Sequence, residues 1–117
     1  MNNYTCFFSA VLLSLASPFP LMSAELEVRQ DGAGDTISVF RKGEKKSILT
    51  QVAKPDFRPY LHPIVAPDGK GVLTEYSPGH HKHQTGLYWG FTRVNGRDYF
   101  HHPGGDYWRR VSAKVLK

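Results

Sequence analysis

The histidines of this 117-residue chain are the residues whose chemistry stands out, because five of the six occur in two tight groups. The groups are His80, His81 and His83, and then His101 and His102. An imidazole titrates near neutral pH and also binds divalent metals, so it can transfer protons or coordinate a metal. The two groups therefore mark the part of the chain in which to look for a site.

Metal coordination is one chemistry that fits these side chains. If the segment is extended, His81 and His83 point to the same face, as a metal site on a strand requires. His80 or His101 would complete a three-histidine site with an open position, as catalytic zinc sites have. The candidate metal ligands are therefore His80, His81 and His83, and the candidate cofactor is a divalent metal.

General acid–base catalysis is the second chemistry, and its candidate catalytic residues are His81, His83 and His101. The sequence offers these imidazoles but places no carboxylate clearly beside them. The alternative for the same histidines is structural, as a hydrogen-bonded rim around a core. His62 and His102 are both expected to be structural.

A β-hairpin is predicted to bring the two histidine groups together. Asn95-Gly96 lies between alternating apolar residues, and this pair is typical of a two-residue hairpin turn because both positions need positive φ. With that turn, Arg93 would lie opposite Asp98, and Phe91 opposite Phe100. Opposite charges and paired aromatics are both favourable across neighbouring strands.

The hairpin register assigns its side chains to two faces, because successive side chains of a strand point in opposite directions. The face predicted to enter the core carries Leu87, Trp89, Phe91, Phe100 and His102. The other face carries Tyr88, Gly90, Thr92, Tyr99 and His101. A gap at Gly90 between the two tyrosines would suit a flat polar ligand. Tyr88 and Tyr99 are therefore candidate substrate-binding residues, and Arg58 joins them because a guanidinium can bind a carboxylate with two hydrogen bonds.

The rest of the chain is predicted to be strands separated by turns. No window shows helical spacing of apolar residues, and the proline-rich span 55–65 is expected to be an edge strand or an extended segment. Residues 67–70 predict a turn. The predicted strands are residues 25–30, 36–40, 47–52, 72–76 and 107–117. This pattern predicts an all-β fold, specifically an antiparallel β-sandwich. A sandwich of this kind is expected to contain more strands than this chain supplies.

The first 24 residues predict a secretory signal peptide. They contain no charged side chain, and an apolar run at 6–16 precedes the small residues Ser23 and Ala24. That run is too short to span a membrane. We therefore expect a periplasmic or secreted protein whose domain is residues 25–117, with no membrane span after cleavage. The net charge of +5 is read as solvated turns, with no nucleic-acid partner expected after export.

Four pieces of the sequence resemble a family of exported bacterial proteins labelled methane oxygenase PmoA. The pieces are residues 58–63, 67–69, 81–90 and 94–100. The resemblance implies an all-β sandwich of the sugar-mutarotase supersandwich type, of which this chain would be an N-terminal part. Methane oxygenase subunits span the membrane several times, so the label implies no methane chemistry here.

These observations favour a protein that binds or acts on a carbohydrate, or a related polar small molecule, through its histidine-rich loop. The carbohydrate part of this expectation is an analogy with the implied fold. One alternative is a non-catalytic carbohydrate-binding or interaction module, or an inactive fragment. A third, suggested by the family label, is a metal-dependent oxygenase. The sequence leaves open whether the chain is an enzyme.

Overall fold

The structure, a computed structural model, describes residues 24–116, and this part of the chain is all β. Its five strands are β1 (Leu26–Gln30), β2 (Thr36–Arg41), β3 (Ser47–Val52), β4 (Tyr60–Ile64) and β5 (Leu87–Tyr88). The predicted signal peptide, residues 1–24, lies outside the described residues apart from Ala24. Within the described range, none of the chain forms a helix that could cross a membrane.

The strands form one antiparallel sheet in chain order, which confirms the all-β antiparallel prediction. β1 and β2 are joined by a turn in which the Asp31 carboxylate accepts hydrogen bonds from the Asp35 backbone N–H and the Thr36 hydroxyl, both at 2.7 Å. Gly43 follows β2 with φ of 82°, as a tight turn requires. The described residues supply a single sheet, so the second layer of a sandwich stays a prediction.

β4 lies inside the sheet, between β3 and β5, although it contains Pro63. A proline has no N–H to give to a neighbouring strand, and the pairing with β5 stops at Tyr60 and Leu61, before Pro63 is reached. Ile64 then turns to the following segment, where its N–H donates to the Thr74 hydroxyl at 3.1 Å. The proline thus ends the β5 pairing without breaking the sheet.

Two of the predicted strands do not form. Residues 72–76 make only single bridges, between Val65 and Val72 and between Tyr76 and Thr85. Residues 107–116 run outside any strand because their partners are side chains and turn backbone. Arg110 donates to the carbonyl oxygens of Gly34 at 2.7 Å and Ala53 at 2.6 Å. The predicted turn at 67–70 is confirmed, with Gly69 at φ of 74°.

The central hairpin is correct at its turn and wrong in its strands. Asn95 and Gly96 have φ of 50° and 75°, and Val94 and Arg97 exchange backbone hydrogen bonds of 3.1 and 3.0 Å. Pairing stops there, because Arg93 itself adopts a positive φ of 59° and leaves the extended conformation. The predicted Arg93–Asp98 pair is absent from the described ion pairs.

The most buried side chains of the described residues include polar ones. Val52 and Ala53 are the buried apolar residues, at 9% and 5% exposure. Arg58 and Thr85 are more deeply buried, at 1% and 2%. The centre of this part of the chain is therefore a buried guanidinium with a hydroxyl beside it, contributed by residues that precede β4 and β5 in the sequence.

Gly86 tests how closely β5 approaches β4. Its φ is 77°, and an added Cβ would overlap the Leu61 carbonyl oxygen and lie 2.9 Å from Cβ of His62. We expect Gly86→Ala to lower the free energy of unfolding by about 2–4 kcal/mol, from backbone strain and overlap together. Urea unfolding followed by circular dichroism measures this loss.

Gly96→Ala is the matched control, because Gly96 has a similar φ of 75° but no neighbouring atom within 4 Å of an added Cβ. It should cost only the backbone strain, about 1 kcal/mol. Equal losses in the two variants would show that the close approach of β5 to β4 carries no energetic weight.

Candidate functional site

Arg58 is the residue around which the candidate site is built. One terminal nitrogen, Nη1, donates to the Phe100 carbonyl oxygen, and Nη2 donates to the His83 carbonyl oxygen at 2.5 Å. Nη2 also lies 3.3 Å from the Thr85 hydroxyl. The guanidinium carbon lies 3.4 Å from the centre of the Tyr88 ring, which is a cation–π contact.

This environment holds a positive charge without a carboxylate. Within residues 24–116, no acidic side chain pairs with Arg58, and its Nε has no hydrogen-bond partner. Burial lowers the pKa of Arg58, whereas the neighbouring Tyr88 acts in the opposite direction. An arginine nevertheless stays protonated in proteins. The charge is therefore balanced by carbonyl dipoles and by the face of an aromatic ring.

The consequence is that Arg58 joins the two histidine groups. Its side chain is bonded to the backbone of His83 in the first group and to that of Phe100, the residue before His101. The backbone N–H of Arg58 donates to the carbonyl oxygen of Pro103 at 2.8 Å, and Pro103 directly follows the second group. Arg58 was predicted to bind substrate, but both terminal nitrogens of its guanidinium already donate hydrogen bonds to protein atoms. In this structure Arg58 is a positioning residue.

The predicted catalytic histidines do lie together. Ring centres are 5.8 Å apart for His81 and His83, and 4.8 Å apart for His83 and His101. His80 extends the row, with its ring centre 4.5 Å from that of His81. These four residues, His80, His81, His83 and His101, are called the histidine cluster below.

The other two histidines have structural surroundings. His62 Nδ1 lies 2.9 Å from the Thr74 hydroxyl, which also accepts the Ile64 N–H. The His102 ring stacks on Tyr107 at 4.6 Å, nearly parallel. Neither imidazole is among the described ring contacts of the cluster, and the structural role of both stays a prediction.

The metal prediction finds less support in the arrangement of the side chains. The rings of His80 and His81 meet edge to face at 76°, and those of His81 and His83 at 71°. Among the residues that the structure describes, no group of three or more histidine, cysteine or acidic side chains is arranged to hold a metal ion. The metal roles of His80, His81 and His83 stay predictions.

The carboxylate that the sequence did not place is Asp98. Its Oδ2 lies 2.6 Å from Nδ1 of His101, while Oδ1 accepts the N–H of Phe100 at 2.9 Å and that of His101 at 3.3 Å. The hydrogen bond with His101 and the two backbone bonds lower the pKa of Asp98. With Asp98 ionised, Nδ1 of His101 carries the proton of this hydrogen bond, and Nε2 is the ring nitrogen that Asp98 does not hold.

A local signal for this pair was present in the sequence. Aspartate side chains commonly accept backbone N–H groups two residues further along the chain. An aspartate used in this way, three residues before a histidine, can reach the imidazole as well. The sequence analysis instead paired Asp98 with Arg93 across the hairpin. In the structure the Asp98 carboxylate bonds to its local partners, Phe100 and His101.

His83 has the second distinctive environment in the cluster. Desolvation lowers the pKa of His83, and the charges of His101, His81 and Arg58 act in the same direction. The Asp98 carboxylate opposes them. The His83 ring also packs 5.4 Å from that of Phe100. His83 is therefore held in its neutral form at lower pH than an ordinary histidine.

The predicted ligand gap between Tyr88 and Tyr99 is wrong. The Phe100 ring fills the space in front of Gly90, where an added Cβ would overlap it. Tyr88 is covered by the Arg58 guanidinium, and Tyr99 packs edge-on against Tyr107 at 5.5 Å. Phe100 reaches this position because Asp98 holds its N–H in a turn.

The predicted core face is wrong as well. Trp89 is 76% exposed, and Leu87 and Phe91 are 57% and 47% exposed. Tyr88 lies over buried Arg58, and Leu87 and Trp89, which flank it in the sequence, are exposed. Trp89 and Phe91 form a parallel pair on the surface, 6.3 Å apart and tilted by 9°. A groove of about 410 Å³ lies beside Trp89 and Leu87.

Comparison with known proteins gives one match. The model of a family described as a family of unknown function, DUF6807, matches residues 39–114, more than half of the chain. No curated protein matches the chain, and neither does any solved structure. The matched range includes Arg58, Asp98 and the whole histidine cluster. The match does not carry the PmoA label, which stays a prediction.

The anchoring role of Arg58 can be measured with Arg58→Met, which keeps an unbranched side chain but removes the donors. We expect a loss of about 2–4 kcal/mol in the free energy of unfolding, because two partly buried carbonyl groups lose a charged partner. We also expect loss of the nuclear Overhauser contact between the His83 and His101 rings. Arg109→Met is the matched control, since Arg109 is exposed, and it should change stability by less than about 0.5 kcal/mol.

The lowered pKa of His83 predicts a pH dependence of stability. The unfolded chain, with an ordinary histidine pKa of about 6.5, takes up this proton more readily than the folded chain. The contribution of His83 to stability is therefore complete above about pH 7 and decreases as the pH falls through about 6.5. Urea unfolding at several pH values should show that the free energy of unfolding falls less on acidification in His83→Gln than in the unchanged chain.

His102→Gln serves as the control for this experiment, because His102 lies outside the cluster. It should keep the pH dependence that His83→Gln reduces. A His83 titration midpoint at or above about 6.5 in a histidine NMR titration would contradict the argument.

Proposed function

This chain belongs to the DUF6807 family, and we propose that its histidine cluster performs general acid–base chemistry on a carbohydrate or a related polar small molecule. The observation that carries the proposal is the pairing of Asp98 with His101 at 2.6 Å, with His83 beside it at 4.8 Å between ring centres. These three side chains supply a candidate acid, its carboxylate support and a candidate base. The export of the protein and its relation to PmoA-labelled proteins are part of the same proposal.

The roles follow from the two environments. The Asp98 carboxylate is hydrogen-bonded to Nδ1 of His101 and fixes the orientation of the ring, so we assign the acid role to His101, acting through Nε2. His83 stays neutral because of desolvation and the positive charges around it, so its free ring nitrogen is the base. The two ring centres are 4.8 Å apart, so one small substrate could contact both imidazoles.

Interconversion of sugar anomers is the reaction that this pair would perform most simply. His83 would take the proton of the anomeric hydroxyl while His101 gives its Nε2 proton to the ring oxygen, and the ring C–O bond opens. Rotation about the C1–C2 bond turns the other face of the aldehyde to the ring oxygen, and reversal of the two transfers closes the other anomer. One proton returns to His101 and the other to the anomeric oxygen, so the step balances without a cofactor. General acid–base catalysis of this kind contributes about 10²–10⁴ in rate.

A non-catalytic carbohydrate-binding module is the second candidate, favoured by the exposed pair of Trp89 and Phe91. Their parallel rings would pack against the C–H face of a sugar ring. This function would need the aromatic pair and not the histidine cluster, so the two candidates respond to different substitutions.

The test is the rate at which the full chain converts pure α-D-glucose and α-D-galactose to the anomer mixture, followed by proton NMR. We expect a rate above that of buffer, and a loss of about 10²-fold or more in His101→Asn and in Asp98→Asn. His102→Asn is the matched control and should keep the rate. Trp89→Ala should leave unchanged the rate constant at which the bound sugar is converted to the other anomer.

The outcomes separate the candidates. Binding of either sugar without acceleration, lost in Trp89→Ala and kept in His101→Asn, would replace the catalytic proposal with the binding module. A folded protein that neither binds nor converts the sugars would refute both. Acceleration that survives in His101→Asn would show that the cluster is not the catalytic group.

A further inference from the structure

A second cavity adjoins the groove beside Trp89 and shares Gln51 and Pro59 with it, at the place where residues 108–116 run past the sheet. It is a groove of about 590 Å³, within the range of small-molecule sites. Ile37 of β2 and Gln51 of β3 line it on the sheet side. None of its lining residues belongs to the histidine cluster. It is called the basic groove below.

The wall opposite the sheet is held by specific hydrogen bonds. Arg110 Nη1 donates to the carbonyls of Gly34 and Ala53 and lies 3.1 Å from Oδ1 of Asp35. The Gln30 side chain donates to the Ala113 carbonyl oxygen at 2.8 Å. These contacts span most of the length of the segment. The groove is therefore a formed feature with two fixed walls.

The charge of the groove has one sign. Four cationic residues line it and no acidic residue does; the four are Lys54, Arg109, Arg110 and Lys114. Arg110 is used in the wall, but the other three are exposed and take part in none of the ion pairs found in residues 24–116. A concave surface lined by positive charges concentrates anionic ligands. Arg109 can also bind a carboxylate with two hydrogen bonds.

Aromatic rings supply the rest of the recognition surface. Phe57 and Trp108 are half-buried and line the same groove. The Trp108 indole N–H already donates to the His102 carbonyl oxygen at 3.0 Å, so the ring offers its apolar surface to a ligand. A ligand that fits must therefore combine a flat apolar face with carboxylate groups. A sugar acid has both, on its C–H face and at its carboxyl group.

We propose that the basic groove binds an oligosaccharide of uronic acids, with Lys54 and Arg109 pairing its carboxylates and Trp108 packing on a sugar ring. A nucleic acid is the less fitting anion, because even single nucleic-acid-binding modules bury about 600–1,000 Å² of protein surface. The groove is instead the size of a small ligand. The proposal rests on the groove alone and does not require the histidine cluster to be catalytic.

The experiment measures binding of trigalacturonic acid to the full chain by isothermal titration calorimetry. Maltotriose, a neutral trisaccharide, and a short oligothymidylate are the comparison ligands. We expect the galacturonate to bind at least about tenfold more tightly than either, and to weaken as salt rises because its ion pairs are exposed. In Trp89→Phe, Trp108 is the remaining tryptophan, and its fluorescence should change on binding.

A pair of double variants with equal charge loss tests the site itself. Lys54→Gln with Arg109→Gln removes two groove cations, and Lys45→Gln with Lys46→Gln removes two from the turn between β2 and β3. The groove double variant should lose at least about tenfold in affinity and the turn double variant less than about twofold. All four residues are exposed, so circular dichroism should show both variants folded.

Three results would overturn the proposal. They are equal binding of maltotriose, tighter binding of the oligothymidylate, and equal losses in the two double variants. An absence of galacturonate binding in the folded chain would overturn it as well. Galacturonate binding that persists in His101→Asn, in a chain without anomer conversion, would refute the proposed function and support the basic groove.

Discussion

The buried charge of Arg58 is the constraint on which the rest of the described structure depends. An isolated charge is costly to bury, and a carboxylate is the usual way to offset that cost. Arg58 has no such partner in the described residues, so backbone carbonyls and the Tyr88 ring must take its place. Carbonyls from two separate loops can do so only if both loops converge on the guanidinium. The position of the histidine cluster is therefore a by-product of the way in which one charge is satisfied.

This arrangement also explains why the centre is polar. A chain of this length buries a smaller fraction of its surface than a larger domain does, and the buried apolar residues of the described part are two. Hydrogen bonds to a charged donor are stronger than neutral ones, about 1.5–3 kcal/mol each. A guanidinium can also join several segments at once, which an apolar side chain cannot. Arg110 likewise joins several segments, because it donates to the carbonyl oxygens of Gly34 and Ala53 from the segment that forms the basic groove.

The first half of the sheet could be predicted because its signals are local. Alternating residues and turn-forming Asp31 and Gly43 determine β1 to β3 without help from distant segments. The second half could not, because its conformation follows from the burial of Arg58, and arginine is rarely buried. The Asn95-Gly96 turn was correct for the same local reason. The faces of its strands were wrong because Tyr88 turns inward to cover the guanidinium. Asp98 was missed as a site residue because the cross-strand pair with Arg93 looked equally favourable in sequence.

The two sites are linked through a short stretch of backbone. Phe57 is bridged to Gly104 and lines the basic groove, while the next residue, Arg58, turns its side chain to the histidine cluster. Successive side chains of an extended segment point to opposite sides, so one dipeptide serves both sites. Gly104 follows Pro103, whose carbonyl accepts the Arg58 N–H, so the second histidine group is bonded to the same dipeptide. A displacement of the Phe57 backbone would therefore move the residue whose guanidinium reaches His83 and Phe100. Because the hydrogen bonds of Arg58 join the two histidine groups, the geometry of the His83–His101 pair is coupled to the wall of the groove.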